Sequence, residues 1–233
     1  MNKQVHDMTP EEIANIPLLG MDDTFSFSCR QCGECCRNQK NILTGYDVFR
    51  LARHFELSPS EFIHRYCNNY PGDESELPSV RLIPRLKDNG CPFLLRGKCS
   101  LYHTDARPIF CQIYPLKIIN KGDGVSGFYL DDVPDCGEKN GVSVVRDWVG
   151  DAVSDEGNAA WNDAVFKAGN IYKKYIKIEP DTRELLQNAV YISMYLMYDI
   201  SGDYAEQCRM NIEESADFVF FEIERRINKH KKM

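Results

Sequence analysis

The sequence predicts an α+β fold: an irregular, cysteine-rich N-terminal portion with a small antiparallel sheet, followed by a C-terminal helical region. Three observations predict it. Nine of the ten cysteines fall within residues 29–136. The same portion contains short apolar runs separated by Gly, Pro and Asn, as in strands joined by turns. From about residue 142, apolar residues recur instead at the spacing of helices. We therefore expect a cysteine-cluster domain over residues 25–140 and a helical region packed on it over residues 141–233.

Composition argues against several classes of function. The chain has 233 residues, 43% of them apolar, so it can bury a core without disulfides. A net charge of −7 and a pI near 5.3 argue against a dedicated nucleic-acid binder. The first 28 residues lack the pattern of a secretory signal, and the longest apolar stretch, residues 188–200, is too short to cross a bilayer. We expect a cytoplasmic protein that binds neither nucleic acid nor membrane.

Three short helices are predicted in the N-terminal portion, over residues 9–16, 44–55 and 58–66. Each begins with a Ser or Thr that is followed three residues later by an acidic residue, which is the arrangement of a capping box. The pairs are Thr9 with Glu12, Thr44 with Asp47, and Ser58 with Glu61.

Between these helices and the C-terminal region, turn residues predict short extended segments. In chain order they are a polar loop (68–78), an edge strand interrupted by Pro84 (80–86), two short extended runs around a turn (91–102), and a hairpin (112–132) whose turn lies at 121–124.

In the C-terminal region, the spacing of apolar residues predicts four helices, over residues 142–153, 159–178, 182–200 and 204–232. Residues 131–163, which span the boundary into this region, hold nine acidic and two basic residues. Such a balance is usual for a solvated face, and it would also suit an acidic surface that docks a protein partner.

Residues 29–36 read CRQCGECC and place four thiols in eight residues. A Cys-x2-Cys turn brings two sulfurs to one side of a loop, and Gly33 lets the backbone turn without a Cβ clash. Four thiolates so close together would repel one another, and a bound metal removes that cost. In a reducing cytoplasm, this concentration of cysteines indicates a metal site before disulfides.

Two kinds of metal site fit the spacing. A structural zinc site takes four ligands, commonly a Cys-x2-Cys pair and a distant pair. A Cys-x2-Cys-x2-Cys run with a remote Cys-Pro, here Cys91-Pro92, is the spacing of bacterial ferredoxins, which bind iron–sulfur clusters. The adjacent Cys35 and Cys36 are expected to point in different directions, so that the loop can serve two sites.

The segments FSCRQCGECCR (27–37) and CPFLLRGKCSLYHTDARPIFCQIYPL (91–116) resemble the YkgJ-like cysteine cluster family, also called CxxCxxCC, a zinc- or iron-chelating domain. The resemblance covers residues 25–140. Cys67 and Cys208 fall outside the family pattern and are expected to be small buried residues. The resemblance implies eight metal-ligating cysteines: Cys29, Cys32, Cys35, Cys36, Cys91, Cys99, Cys111 and Cys136.

The resemblance leaves open whether the protein is an enzyme, and it assigns no catalytic residue. Our first hypothesis is an iron–sulfur protein with a [4Fe–4S] cluster that acts in redox or protein-modification chemistry. The alternative is a non-enzymatic zinc-binding module that interacts with a partner. A third hypothesis is an S-adenosylmethionine-dependent protein lysine methylase, because one branch of the family includes the flagellin lysine N-methylase.

Other residues between the later cysteines also bear on the site. The Arg107 guanidinium is expected either to offset thiolate charge or to pair with Asp105. Tyr102 and Tyr114 are expected to pack over the cluster and shield it. His103 is not expected to be a ligand, because eight cysteines leave no position that demands it.

Overall fold

The computed structural model describes residues 9–37, 41–72, 77–120, 126–130, 136–178 and 183–230. Helices and small antiparallel sheets share these residues, which confirms the predicted α+β class. In the part of the chain that the structure describes, no helix combines the length and the apolar character that crossing a bilayer requires.

Helices are concentrated in the C-terminal half, and strands in the cysteine-rich portion. The α-helices described are α1 (Pro10–Ala14), α2 (Gly45–His54), α3 (Pro59–Tyr66), α4 (Ile109–Ile113), α5 (Val145–Val149), α6 (Glu156–Ile178), α7 (Arg183–Tyr191) and α8 (Tyr204–His230). The strands are β1 (Thr24–Ser28), β2 (Ile42–Leu43), β3 (Cys67–Pro71), β4 (Pro78–Leu82), β5 (Leu94–Leu95), β6 (Lys98–Cys99), β7 (Leu116–Asn120), β8 (Ser126–Leu130) and β9 (Glu138–Val144).

The strands form small antiparallel sheets. One has three strands in the order β2-β4-β3, and the others are the pairs β1-β9, β5-β6 and β7-β8. The β1-β9 pair connects the two ends of the cysteine-rich portion, since Thr24 lies opposite Val144 and Ser28 lies opposite Glu138.

The three predicted N-terminal helices form as α1, α2 and α3, and each begins with its capping box. At α2, the Thr44 hydroxyl accepts from the Asp47 N–H at 2.9 Å, and the Asp47 carboxylate accepts from the Thr44 N–H at 3.0 Å. Ser58 and Glu61 make the same reciprocal pair at α3, and an equivalent pair caps α1. These bonds satisfy N–H groups that no carbonyl within the helix can reach.

Two predictions that concern the three-stranded sheet are wrong. Residues 80–86 were expected to form an edge strand, but β4 is the central strand of its sheet and ends before Pro84. The loop expected over residues 68–78 instead begins as β3, which pairs with β4 along its whole length. The predicted hairpin forms as β7-β8, but it starts later than expected, because residues 112–113 belong to α4; its turn at 121–124 lies outside the described residues.

The helical region also begins later than expected. Residues 142–144 belong to β9, because they pair with β1, and α5 covers only Val145–Val149. The helix expected over residues 182–200 is α-helical to Tyr191 and continues as a π-helical turn over Ile192–Leu196. The division expected after residue 140 falls inside β9, and the domain division itself stays a prediction.

Two apolar clusters form the interior. The first packs α2, α3 and the three-stranded sheet against α6, α7 and α8, with Phe49 and Phe62 fully buried in it. The second packs β1 against α4, α5 and β8, around Phe27. Cys36 packs against the first cluster and Cys35 against the second. The cysteine loop therefore lies at the junction of the two.

Candidate metal centre

The cysteine loop depends on one glycine for its approach to the rest of the motif. Gly33 precedes a 3-10 turn over Glu34–Cys36 and has φ of +75°, a conformation that L-residues rarely adopt. A Cβ on Gly33 would stand 2.6 Å from Leu94 Cδ1 and 2.8 Å from the Gly97 carbonyl oxygen. The loop can therefore lie against the β5-β6 hairpin, which carries Cys99, only because residue 33 lacks a side chain.

Backbone hydrogen bonds join the cysteine loop to the segment that carries Cys91. The Cys91 N–H donates to the Cys36 carbonyl at 2.7 Å, and Arg37 and Gly90 form an antiparallel bridge beside this bond. The Arg85 N–H donates in turn to the Gly90 carbonyl at 2.8 Å. These bonds hold Cys36 and Cys91 side by side.

Cys111 lies on α4, which is anchored by a carboxylate from α2. The buried Asp47 Oδ1 accepts from the Ile109 N–H at 2.9 Å and from Arg50 Nη2 at 2.8 Å. Arg50 Nη2 also donates to the Arg107 carbonyl at 3.2 Å. Because the carboxylate is both hydrogen-bonded and paired, its burial is compensated. The residue that caps α2 thus also positions the turn that presents Cys111.

Cys136 reaches the cysteine loop through the β1-β9 pairing. Because the last residue of β1 lies opposite the first residue of β9, Cys29 and Cys136 stand at the same end of the ladder. A Cβ on Gly137 would stand 2.3 Å from the Phe27 ring, so the close approach again requires a glycine. The Tyr114 hydroxyl lies 3.6 Å from Cys136 Sγ.

Five of the predicted ligands form an inner group of thiols that act on one another: Cys35, Cys36, Cys91, Cys99 and Cys111. Cys36 hydrogen-bonds to both Cys35 and Cys99 and lowers the pKa of each, that of Cys99 to about 6. The same two bonds raise the pKa of Cys36. Thiolate character therefore lies on Cys99 and the proton on Cys36.

The two remaining inner thiols, Cys91 and Cys111, have raised pKa values because they are buried. Burial raises the pKa of Cys91 to about 11, and it also raises the pKa of Cys111. A thiol in such an environment stays protonated at neutral pH unless a positive charge compensates for its desolvation.

Arg107 brings positive charge to the inner group. Its guanidinium stacks 4.3 Å from the Tyr102 ring centre and donates to the Cys111 carbonyl. After the hydrogen bond from Cys36, its charge is a further cause of the low pKa of Cys99. The expected role of offsetting thiolate charge is thus supported, and a pairing with Asp105 is not among the ion pairs of the described residues.

The other three predicted ligands, Cys29, Cys32 and Cys136, form an outer group. The charges of Cys29 and Cys32 both act on Cys136, as does that of Cys35, which therefore links the two groups. Cys32 is exposed, and the Cys29 sulfur accepts from the Gln31 N–H at 3.3 Å. This part of the motif is the more accessible to solvent.

Within the described ranges, no group of three or more His, Cys, Asp or Glu side chains is placed so that it could hold a metal ion. All ten cysteines are free thiols. Thiolate sulfur is the donor that structural zinc and iron–sulfur clusters take, so the chemistry of this donor set fits either group.

Three residues were left out of the predicted ligand set: Cys67, Cys208 and His103. Cys67 and Cys208 are buried, as expected, with 6% and 1% of their surface exposed. Desolvation raises the pKa of Cys67 to about 12, which disfavours the thiolate that a metal would need. His103 is exposed, and its ring contacts the Tyr102 ring edge-on.

The family of the cysteine-rich portion follows from its sequence match. Residues 28–136 match the family model CxxCxxCC, described as "Putative zinc- or iron-chelating domain". Residues 28–136 are a CxxCxxCC domain. The resemblance seen in the sequence is thereby confirmed, and all eight expected ligands fall within the CxxCxxCC domain. No curated protein and no solved structure is significantly similar to the chain.

Sequence reasoning missed Asp47 and Arg50 as residues that shape this CxxCxxCC domain. The sequence signal identified Asp47 only as a helix cap. Its bond to Ile109 joins residues 62 positions apart, and no local pattern indicates such a contact. An arginine three residues after a capping aspartate was the one available hint, because that spacing places both side chains on the same face of a helix.

Proposed function

We propose that the CxxCxxCC domain binds a [4Fe–4S] cluster and acts in redox or protein-modification chemistry. Cys29, Cys32 and Cys35 are the first candidate ligands. The other candidates are Cys36, Cys91, Cys99, Cys111 and Cys136. One observation carries the proposal: the Cys91 N–H donates to the Cys36 carbonyl at 2.7 Å, so the two halves of the motif meet at the junction of the two apolar clusters.

The chain's own residues prepare this site in distinct ways. Each sulfur can change position by rotation about a single side-chain bond, so a convergent ligand set does not have to be fully formed beforehand. Cys99 already favours its thiolate, whereas the buried Cys91 and Cys111 need compensating charge. Arg107 supplies part of that charge. A bound cluster would supply electron transfer, with a potential set by hydrogen bonds and solvent exposure.

A zinc-binding interaction module is the second candidate, and the division of the thiols favours it. The inner and outer groups meet at Cys35, and Cys35 and Cys36 pack against different apolar clusters. When Cys35 is counted with the outer group, the eight thiols divide four and four, which suits two tetrahedral sites of four ligands. Such a module would present its acidic surface, residues 131–163, to a protein partner; residues 131–135 of this surface lie outside the described residues.

Anaerobic purification followed by metal and sulfide analysis tests the first proposal against the second. A [4Fe–4S] protein is expected to be brown, with broad visible absorption and bound iron and sulfide. A colourless anaerobic preparation with stoichiometric zinc and no iron would overturn the iron–sulfur proposal and support the zinc module. Loss of the brown colour on exposure to air, with iron release, would further distinguish the cluster from mononuclear iron.

A further inference from the structure

A cavity of about 360 Å³ lies beside the cysteine set, and the metal-binding proposal makes no use of it. It is bounded by the segment that leads to α4, by α2, and by the chain from α5 to the start of α6. Its lining includes Arg50, Tyr102, Arg107, Trp148, Asp151 and Asn158. This volume is within the range of small-molecule sites in proteins.

Two residues of the lining carry buried polar atoms without a partner in the part of the chain that the structure describes. These atoms are the donor Arg50 Nε and the acceptor Asn158 Oδ1. Asn158 is 4% exposed, and its amide nitrogen is already used, donating to the Ala152 carbonyl at 2.5 Å. An unsatisfied buried polar atom costs about 1–3 kcal/mol, so each favours a molecule that completes its hydrogen bond.

The charges around the cavity have both signs. Arg50 and Arg107 contribute two guanidinium groups, and Asp105, Asp151 and Asp155 contribute carboxylates. Asp155 is already engaged, because it accepts from the Tyr46 hydroxyl at 3.3 Å and from the Gly157 N–H at 2.8 Å.

The other two carboxylates, of Asp105 and Asp151, are more exposed to solvent than the Arg50 guanidinium. Asp105 and Asp151 are exposed and lie toward solvent, whereas the Arg50 side chain is only 14% exposed. The Arg50 charge is already paired with the buried Asp47, so the cavity offers the unpartnered Arg50 Nε, the Arg107 guanidinium and negative charge near solvent.

We propose that this cavity binds a small zwitterion of the α-amino-acid class. Its carboxylate accepts from Arg50 Nε and from the Arg107 guanidinium. Its ammonium group donates to Asn158 Oδ1 and to the Asp151 carboxylate. This pose satisfies both orphaned atoms with a single ligand, and charge-assisted bonds of this kind are the stronger class of hydrogen bond.

The site lies next to the thiols but does not depend on what they bind. Tyr102 and Arg107 line the cavity, and they also interact with Cys29 and with the inner thiols. A ligand carboxylate at Arg107 would therefore stand beside the cysteine set. Asp151 and Asn158 have no contact with the predicted metal ligands among the interactions described, so substitutions there leave those ligands in place.

The test is calorimetric titration of the full-length protein, purified anaerobically with its metal, with glycine, L-alanine, L-serine and L-glutamine as probes. Acetate and methylamine, which carry only one of the two charged groups, are the matched half-probes. We expect at least one amino acid to bind with a Kd below about 10 mM, and each half-probe to bind at least about tenfold more weakly. Absence of binding by all four amino acids, or binding of acetate as tight as that of the amino acids, would overturn the proposal.

Variants locate the binding within the cavity. Asp151→Asn, on the exposed rim, and Asn158→Ala, in the wall, should each weaken the amino acid by about tenfold or more, because each removes an interaction with the ammonium group. Asp163→Asn, the same change on an exposed face of α6, should leave affinity unchanged. Metal content should stay at the wild-type value in all three variants. Wild-type affinity in Asp151→Asn and Asn158→Ala would contradict the assigned site.

Discussion

The Cys91 N–H donates a 2.7 Å hydrogen bond to the Cys36 carbonyl, and through this bond the two halves of the CxxCxxCC motif become one unit. The Arg37–Gly90 bridge continues the pairing on one side. The later cysteines therefore depend for their position on backbone pairing as well as on any bound metal. Substitutions that disturb this pairing should affect stability and metal content together.

Gly33→Ala should destabilise the protein more than Gly97→Ala. Both glycines have positive φ, so either substitution should cost about 1–2 kcal/mol for the backbone alone. At Gly33 the new methyl group would also meet Leu94 and the Gly97 carbonyl, and such overpacking typically adds about 1–3 kcal/mol. At Gly97 nothing lies within 4 Å of the added Cβ. Urea unfolding of the two variants measures the difference, and equal losses would show that the close approach does not constrain the loop.

Cys29→Ser and Cys32→Ser should lose metal and stability, whereas Cys208→Ser should keep its metal. A hydroxyl is a poor substitute for a thiolate ligand, and bound metal contributes free energy of folding. Cys208 is 1% exposed and contacts the Ala160 carbonyl at 3.7 Å, in the helical region. Elemental analysis of anaerobically purified variants measures the metal content. Equal metal loss in all three variants would contradict the ligand assignment.

Asp47→Ala should unfold far more readily than Asp22→Ala. Removing one partner of a buried, hydrogen-bonded pair typically costs about 3–5 kcal/mol, and here it leaves the Arg50 charge without its carboxylate and the Ile109 N–H without its acceptor. Asp22 pairs with Arg146 at 2.7 Å, but both side chains are largely exposed, so little change is expected. Denaturation midpoints compare the two variants. A mild effect of Asp47→Ala would show that α4 holds its position without the carboxylate.

Stability should fall above pH 10, and Tyr46 should contribute to the fall. Desolvation, with the neighbouring Asp155 charge, raises the pKa of Tyr46 to about 12. Between its ordinary pKa of about 10 and this value, the unfolded chain releases the phenolic proton while the folded protein keeps it. The stabilisation is therefore complete below pH 10 and declines as pH rises toward 12.

Tyr46→Phe isolates this contribution, because Phe cannot ionise. Wild type should be the more stable protein at pH 8, where the Tyr46 hydroxyl donates to Asp155 at 3.3 Å. The difference in urea midpoint should shrink as the pH is raised from 8 to 11. A difference that stays constant over this range would show that Tyr46 ionises with its ordinary pKa in the folded protein.

Local signals predicted the capped helices well, because the bonds that begin a helix join residues three positions apart. The Thr44–Asp47 and Ser58–Glu61 pairs are visible in the sequence and form as expected. The pairing partners of the strands were not predictable from local signals. β4 is central because β2 and β3 flank it, and residues 142–144 are extended because they pair with β1. Those partners lie far along the chain, and their pairing outweighs local propensity.

The same distinction between local and long-range contacts applies to the candidate site. The sequence by itself determined the family, the α+β class and the eight cysteines of the motif, because their identity and spacing are properties of the chain. Only the tertiary structure decided that the Cys36 and Cys91 backbones would pair, that the buried Asp47 would anchor the turn bearing Cys111, and that Arg107 would bring its charge to the thiols. Burial and the sum of neighbouring charges set these relationships, and both depend on contacts between residues that are distant in sequence.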